Sequence, residues 1–387
     1  MQKTQGRTAE AYASYERAID SDPGLSEAFW NMQRLLPVVY DDEAQIHASR
    51  ERYTAGLVRL QASLDLESRE ARRRALRGLL ASTNFYLQYQ GLNDRELQCS
   101  YGGIVEAVME RCYPQWRKPL TIRPSSGGGK IRVGYCSAYL RDHNGANWVL
   151  GWLRHRNLDE FEIHCYHIGQ KCDAVTQMFR ENCDVMYHLP GDLNTVCRQI
   201  VSDELDILVY PELGMDPLTM LMAALRLAPV QCVGWGHPVT SGLSTVKYWL
   251  SSDGMEPDNA QAHYLERLVR LPNMANCYST RQRDTLENEI SRGTRAEFGL
   301  PENAVLYFCS QSLFKYLPQY DYLWPEIALR VPNARFVFLA ISSVHLVKRF
   351  MARVERAFGK YNLRAADYCI MLNRQTPENY LRLNQVM

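Results

Sequence analysis

From residue 131 onward the chain alternates short apolar runs with stretches in which apolar residues recur every three or four positions. The apolar runs fall at 131–137, 161–166, 185–189, 207–210 and 230–235, with a later one at 267–271. Periodic stretches such as 195–201 and 217–225 lie between most of them. Strands that alternate with helices predict a parallel sheet covered on both faces. A second alternating unit starts near Ala304, with strands at 305–309, 336–339 and 368–372 and helices at 322–329 and 344–358. A last helix starts near Thr376, with Pro377 in its first turn, where a missing N–H costs nothing. Three strands are too few for a doubly wound domain with its own core. The second unit is therefore expected to be cut short.

The chain before residue 131 has a different period. Residues 41–116 carry helical spacing, for example at 71–80 and 104–109, and Arg72, Arg73 and Arg74 read as a solvated face. Ala11, Tyr15, Ala18 and Pro23 follow the A-x-x-x-[FY]-x-x-A-x-x-x-x-P spacing of the second helix of a tetratricopeptide repeat. Phe29 and Met32 fall where the next repeat places its large residues. One repeat cannot bury its own face, so the array is expected to start before this chain does. Pro124 to Gly129 read as a flexible joint. Lys130 after those glycines raises the possibility of a phosphate loop, but such a loop follows a strand and opens a helix, and here the glycines precede a strand. The polar stretch 279–295 reads as a boundary or crossover. The expected division is a partial repeat at 1–40, a helical connector and linker at 41–128, a Rossmann-like domain at 129–290, and the start of a second such domain at 291–387.

Charge and cysteine usage narrow the function. The 44 Lys and Arg nearly cancel the 43 Asp and Glu, leaving a net charge of +1, which gives no global attraction to nucleic acid. No stretch of about 18 apolar residues is present to cross a membrane. The eleven cysteines form no C-x-x-C pair, and several sit in apolar strand runs, as Cys136, Cys165, Cys232 and Cys309 do. Buried thiols of that kind are ordinary in a reducing compartment, so a cytoplasmic location is expected and a metal cluster is not.

Two Rossmann-like units behind a helical repeat suggest a glycosyltransferase whose substrates sit between two facing domains, beyond the carboxyl ends of their strands. The motifs sharpen this. Ile131-Arg-Val-Gly-Tyr-Cys-Ser137 followed by Arg141-Asp-His143, Phe161-Glu-Ile-His-Cys-Tyr166, Leu227-Ala-Pro-Val-Gln231, Gly236-His-Pro-Val-Thr-Ser-Gly242, Tyr264-Leu-Glu-Arg-Leu-Val-Arg-Leu-Pro272 and Gln311-Ser-Leu-Phe-Lys315 occur in register. Together they resemble the tetratricopeptide-repeat protein O-GlcNAc transferases. The Gly-His-Pro is nearer to bacterial members than to the Gly-Tyr-Pro of animal ones.

The resemblance implies a GT-B-like pair of Rossmann-like domains, the second incomplete, behind an all-α region. It implies inverting transfer of N-acetylglucosamine from UDP-GlcNAc to Ser or Thr hydroxyls of proteins, with no cofactor and no metal. Such a reaction passes through an oxocarbenium-like state, by analogy with glycoside hydrolysis. It needs a group to orient or deprotonate the acceptor, charge to balance the leaving diphosphate, and a dry cleft. His143, in the first loop after a strand, matches a functional family histidine; its bland alternative is a helix cap. Asp173 resembles a family carboxylate proposed as base; its alternative is a cap for the helix from Ala174. His237, between Gly236 and Pro238, is a candidate cleft wall. There Gly236 permits backbone conformations that other residues resist, and Pro238 fixes the next turn.

Lys315 is the donor-side candidate, an ammonium for the diphosphate. Gln311 lies one place further from that lysine than in the animal pattern, and Ser312 occupies the glutamine's position. The only close D-x-D pair, Asp20-Ser21-Asp22, ends a repeat helix. The family's remaining nucleotide contacts, including a His-Thr-Thr helix start, lie beyond the last residue here, so these 387 residues are expected to transfer sugar poorly by themselves. Three other readings stay open: a repeat scaffold with a degenerate transferase core, a UDP-glucose-dependent Asn glucosyltransferase, and a transferase with a small-molecule acceptor.

Overall fold

The computed structural model describes residues 5–121, 129–275 and 293–387. Of the expected joint only Gly129 is described, and of the polar stretch only residues 293–295; the rest of both lies outside the described residues.

The chain opens with helices α1 (Thr8–Ser21), α2 (Ser26–Gln33), α3 (Glu43–Ala62), α4 (Arg69–Leu80) and α5 (Arg95–Cys112). Their starts follow from side chains that satisfy otherwise orphaned amides. Asp42 accepts from the N–H of Gln45 at 2.7 Å, and Ser68 from that of Ala71 at 3.0 Å. Arg34, 3 % exposed, pins three of these elements together. It donates to the Gly78 and Ser82 carbonyls and to the Tyr101 hydroxyl, at 3.3, 3.1 and 3.0 Å. A buried guanidinium satisfied in this way fixes one packing arrangement.

Seven parallel strands follow: β1 (Ile131–Ser137), β2 (Phe161–His167), β3 (Val185–His188), β4 (Ile207–Tyr210), β5 (Val230–Gly234), β6 (Tyr248–Ser252) and β7 (Arg267–Leu271). Their order in the sheet is β3-β2-β1-β4-β5-β6-β7. β6 was not expected; it ends in two serines, and both are buried. The strand order reverses between β1 and β4. Open α/β sheets bind ligands outside the carboxyl ends of the strands at such a point. A second parallel sheet, in the order β10-β9-β8, holds β8 (Val305–Phe308), β9 (Ala334–Leu339) and β10 (Cys369–Leu372). The expected helix near Thr376 is present as Pro377–Gln385, capped by the Thr376 hydroxyl on the Asn379 amide at 3.2 Å.

The core shows how these parts are joined. Tyr101, Ile104, Val105 and Val108 of α5 share one apolar cluster with Leu221, Val233 and Trp249 of the first sheet layer. Val38 and Val39 pack instead with Phe336, Phe338 and Phe350 of the second layer. Arg353 donates to the Tyr40 carbonyl at 2.9 Å and to the Tyr316 carbonyl at 2.9 Å. The helical region is thus the mortar between both sheets. Among the described residues every cysteine is free, and no helix is long and apolar enough to cross a membrane.

Candidate active site

The switch point of the first sheet is built by the ends of β1 and β4. Ser137, the last residue of β1, accepts from the N–H of Tyr139 at 2.8 Å and donates to Glu212 Oε1 at 2.8 Å. Glu212 follows β4 after one proline and is 1 % exposed. Burial pushes its carboxyl up to about 8, against the opposing hydrogen bond from Ser137. Among the described residues its other oxygen has no hydrogen-bond partner. Sequence reasoning missed this residue. Its signal was an acid directly after an apolar strand run.

His143 lies in the same corner. It is half-buried, stacks on Tyr139 at 4.3 Å between ring centres, and caps the helix Asn144–Arg154 by accepting from the Gly145 N–H through Nδ1 at 3.1 Å. Burial, and then the nearby Arg141 cation, hold its pKa below the ordinary value. A neutral ring with Nδ1 accepting carries its proton on Nε2. His143 therefore offers an N–H donor, suited to orienting an oxygen. Taking a proton would require giving up the cap.

Asp173 also caps, in a reciprocal box with Thr176, and reaches across to accept from the Asp142 N–H at 2.9 Å. Burial works against ionisation of this exposed side chain. The amides of Asp142, Thr176 and Val175 outweigh it and hold the carboxyl below its usual range. Through Asp142, Asp173 is tied to the loop that carries His143.

His237 sits beyond β5 and is 1 % exposed, while its neighbour Pro238 is exposed. Its ring stacks on Phe85 at 5.6 Å, and Nδ1 lies 2.8 Å from Gln88 Nε2. The Gln88 amide donates there and to the Phe85 carbonyl, so Nε2 carries the His237 proton. Among the described residues that nitrogen has no hydrogen-bond partner. It borders a cavity of about 20 Å³ lined by Ser82, Asn84, Tyr101 and Ser241 among others, room for one water molecule.

The expectation for Gly236 needs correcting. Its backbone is not in the left-handed region. Glycine is required because a Cβ would lie 2.8 Å from the Pro211 carbonyl oxygen and 2.9 Å from Glu212 Cβ. The loop beyond it is held by the buried Glu266, which accepts from Thr240 Oγ1 at 2.6 Å and from the Ser241 amide at 2.8 Å. Gln231 spends its amide on the backbones of Ala223, Leu225, Leu227 and Thr245, which gives the Leu227–Gln231 motif a structural purpose.

On the second sheet, Lys315 is exposed and donates to Gln311 Oε1 at 2.8 Å. A groove of about 410 Å³ runs along the carboxyl ends of β8, β9 and β10. Gln311 and Ser312 line one side; Arg374, Thr376, Pro377 and Tyr380 line the other. Arg374 and the start of the Pro377–Gln385 helix were not among the expected site residues. A basic residue between a strand and a proline-started helix was the available signal. A larger cavity, about 800 Å³, lies between the helical region and the second sheet's helices. It is off the strand ends, so size alone does not mark the site. The two halves meet at Phe85, whose ring contacts His237 at 5.6 Å and Phe314, next to Lys315, at 6.3 Å.

Comparison with known proteins agrees with this architecture. Residues 108–278 match glycosyl transferase family 41. The chain is 25 % identical over 247 residues to the probable UDP-N-acetylglucosamine–peptide N-acetylglucosaminyltransferase SEC of Arabidopsis thaliana, covering 62 % of this chain and 24 % of that protein. It is 28 % identical over 213 residues to the SPINDLY protein of the same plant, which bears the same enzyme name, covering 54 % of this chain and 22 % of that protein. The chain thus spans about a quarter of the length of these curated relatives. A mutant of the Thermobaculum terrenum O-GlcNAc transferase superposes with a TM-score of 0.64 at 21 % identity, over 100 % of this chain and 68 % of that one. That likeness concerns the fold.

Proposed function

We propose that this chain, whose residues 108–278 match glycosyl transferase family 41, serves a protein O-N-acetylglucosaminyltransferase, with UDP-GlcNAc as donor and a Ser or Thr hydroxyl of a protein as acceptor. The reaction joins the acceptor oxygen to the sugar C1, breaks the bond from C1 to the phosphate oxygen, and leaves UDP and a proton. The observation that carries this reading is the pairing of two strand-end sites through Phe85. One is a polar corner suited to an acceptor, the other a groove suited to a nucleoside diphosphate.

In the groove, Lys315 and Arg374 supply positive charge for the diphosphate, the Pro377–Gln385 helix start adds its amides and dipole, and Gln311 and Ser312 supply hydrogen bonds. Tyr380 offers a ring face to the base. In the corner, His143 orients the acceptor hydroxyl through Nε2–H, and Asp173 holds the adjoining loop. His237, Gly236 and Pro238 form the wall between the halves. The tetratricopeptide-like start would present peptide acceptors, and the free cysteines favour a cytoplasmic setting. The domain division at 41, 129 and 291 is part of this reading.

Saturation-transfer NMR with UDP tests the donor groove, because it detects weak binding. The wild-type chain is expected to saturate the uracil and ribose protons. Arg374→Ala and Lys315→Ala should each weaken binding about tenfold, the usual loss for one charge-assisted contact. A folded wild-type chain that transfers no saturation to UDP would end the donor-groove assignment.

A further inference from the structure

The structure assigns a zinc-class metal site to His167, Cys172 and His188, at the carboxyl ends of β2 and β3. Spacing along the chain offered no hint of it, since the three are five and sixteen residues apart. The sheet register brings them together. His167 and His188 are direct partners in the β2–β3 ladder, and their rings stack 5.2 Å apart at 17°. Cys172 lies in the loop that leaves β2. One ligand atom from each of the three residues lies within 4.8 Å of the other two.

The hydrogen bonds around the cluster point to a metal. His167 Nε2 lies 2.8 Å from the Lys171 carbonyl oxygen, and His188 Nε2 lies 2.8 Å from that of Gly169. A carbonyl only accepts, so both rings carry their proton on Nε2 and keep a free lone pair on Nδ1. Metal-binding imidazoles are held in this manner, one nitrogen on a backbone carbonyl and the other free for the ion. His167 is 0 % exposed, and among the described residues its Nδ1 is buried with no hydrogen bond of ordinary geometry, although the Ser137 backbone also acts on the ring. A buried lone pair with no donor is costly to leave unmet.

Cys172 Sγ lies 3.6 Å from both ring nitrogens of His188. With Zn–S near 2.3 Å and Zn–N near 2.0–2.1 Å, a tetrahedral ion holds its sulfur and nitrogen ligands about 3.5 Å apart. A small rotation of the exposed Cys172 and His188 side chains would complete the geometry. One thiolate and two imidazoles select Zn²⁺ over Mg²⁺ or Ca²⁺. The thiol gives up its proton as the ion binds. Three protein ligands leave a fourth position for water. The ion would clip the 168–173 loop to β3, and that loop leads into Asp173 and its bond to the Asp142 amide.

Cobalt titration of the chelator-stripped chain tests the assignment, because tetrahedral Co²⁺ reports a thiolate ligand by a charge-transfer band. The wild type is expected to take up one equivalent with that band, and Zn²⁺ should displace it. Cys172→Ser should abolish the band and weaken uptake by more than about 100-fold, beyond the loss caused by changing an outer-shell partner. His188→Asn should weaken uptake comparably, and serves as the readout if the serine variant misfolds. Cys309→Ser, at another exposed thiol, should leave the titration unchanged. A wild-type chain without the band, or a Cys172→Ser chain that keeps it, would overturn the assignment.

Discussion

Gly242→Ala is expected to destabilise the protein by at least about 3 kcal/mol, at the upper end of what overpacking a core costs. Gly242 has φ +69°, a left-handed backbone that favours glycine. The new Cβ would lie 2.0 Å from the Gln98 carbonyl oxygen and 2.2 Å from its carbon. These are backbone atoms of α5, so no side chain can swing aside. The loop cannot retreat either, because Glu266 grips Thr240 and Ser241 from behind. The contact is mutual: a Cβ on Gly102 would lie 2.0 Å from the Gly242 carbonyl oxygen. This close approach seats α5 on the first sheet, where the two share one core. Urea unfolding measures the effect. Gly103→Ala is the control, since a Cβ there meets none of the described residues within 4 Å on the exposed side of the same helix. It should be neutral or stabilising by up to about 1 kcal/mol. Equal midpoints for wild type and Gly242→Ala would show that the joint is looser than described.

Glu212→Gln is expected to stabilise the protein progressively as pH rises. Burial lifts the folded-state value of Glu212 from 4.5 to about 8. Between those values the native state keeps a proton that the unfolded chain has released, so wild-type stability falls as pH increases. The contribution of the neutral acid is fully present below pH 4.5 and lost as pH passes through about 8. Glutamine has no proton to lose. The difference between variant and wild type should therefore grow by about 5 kcal/mol across that window, since one retained proton is worth about 1.4 kcal/mol for each pH step of one. His237 has the opposite slope at lower pH, because burial depresses it to about 4, but it is common to both proteins and cancels in the difference. Denaturation curves from pH 4 to pH 9 provide the measurement. A difference that stays constant with pH would mean that Glu212 ionises normally and that the corner is wetter than its burial implies.

Much of the fold was legible because strands buried on both faces read as continuous apolar runs. Ile131–Ser137 and Ile207–Tyr210 matched their expected ends; Lys130 precedes the first, and Asp206 and Pro211 bracket the second. β6 escaped because Ser251 and Ser252 read as solvent-facing, whereas the fold buries both, Ser251 against Glu256 at 2.7 Å. The expected site residues were found at strand ends, where loop positions follow directly from the α/β pattern. Their partners were not legible. Asp173 and His143 could be named as caps or as functional groups, but the bond from Asp173 to the Asp142 amide depends on two loops meeting.

The alternating layers, the positions of the strand ends and the types of residue placed on them were already set by the order of amino acids, because they depend on local periodicity and turn chemistry. What those residues can do was settled by the way distant segments meet. Phe85 and Gln88 come from the helical region to bury His237, some 149 residues away. Ladder register, not spacing, stacks His167 on His188. Glu212 is lifted to about 8 only because the switch point closes over it. Burial and long-range pairing set the protonation and free valences of a side chain, and neither is encoded within reach of a local pattern.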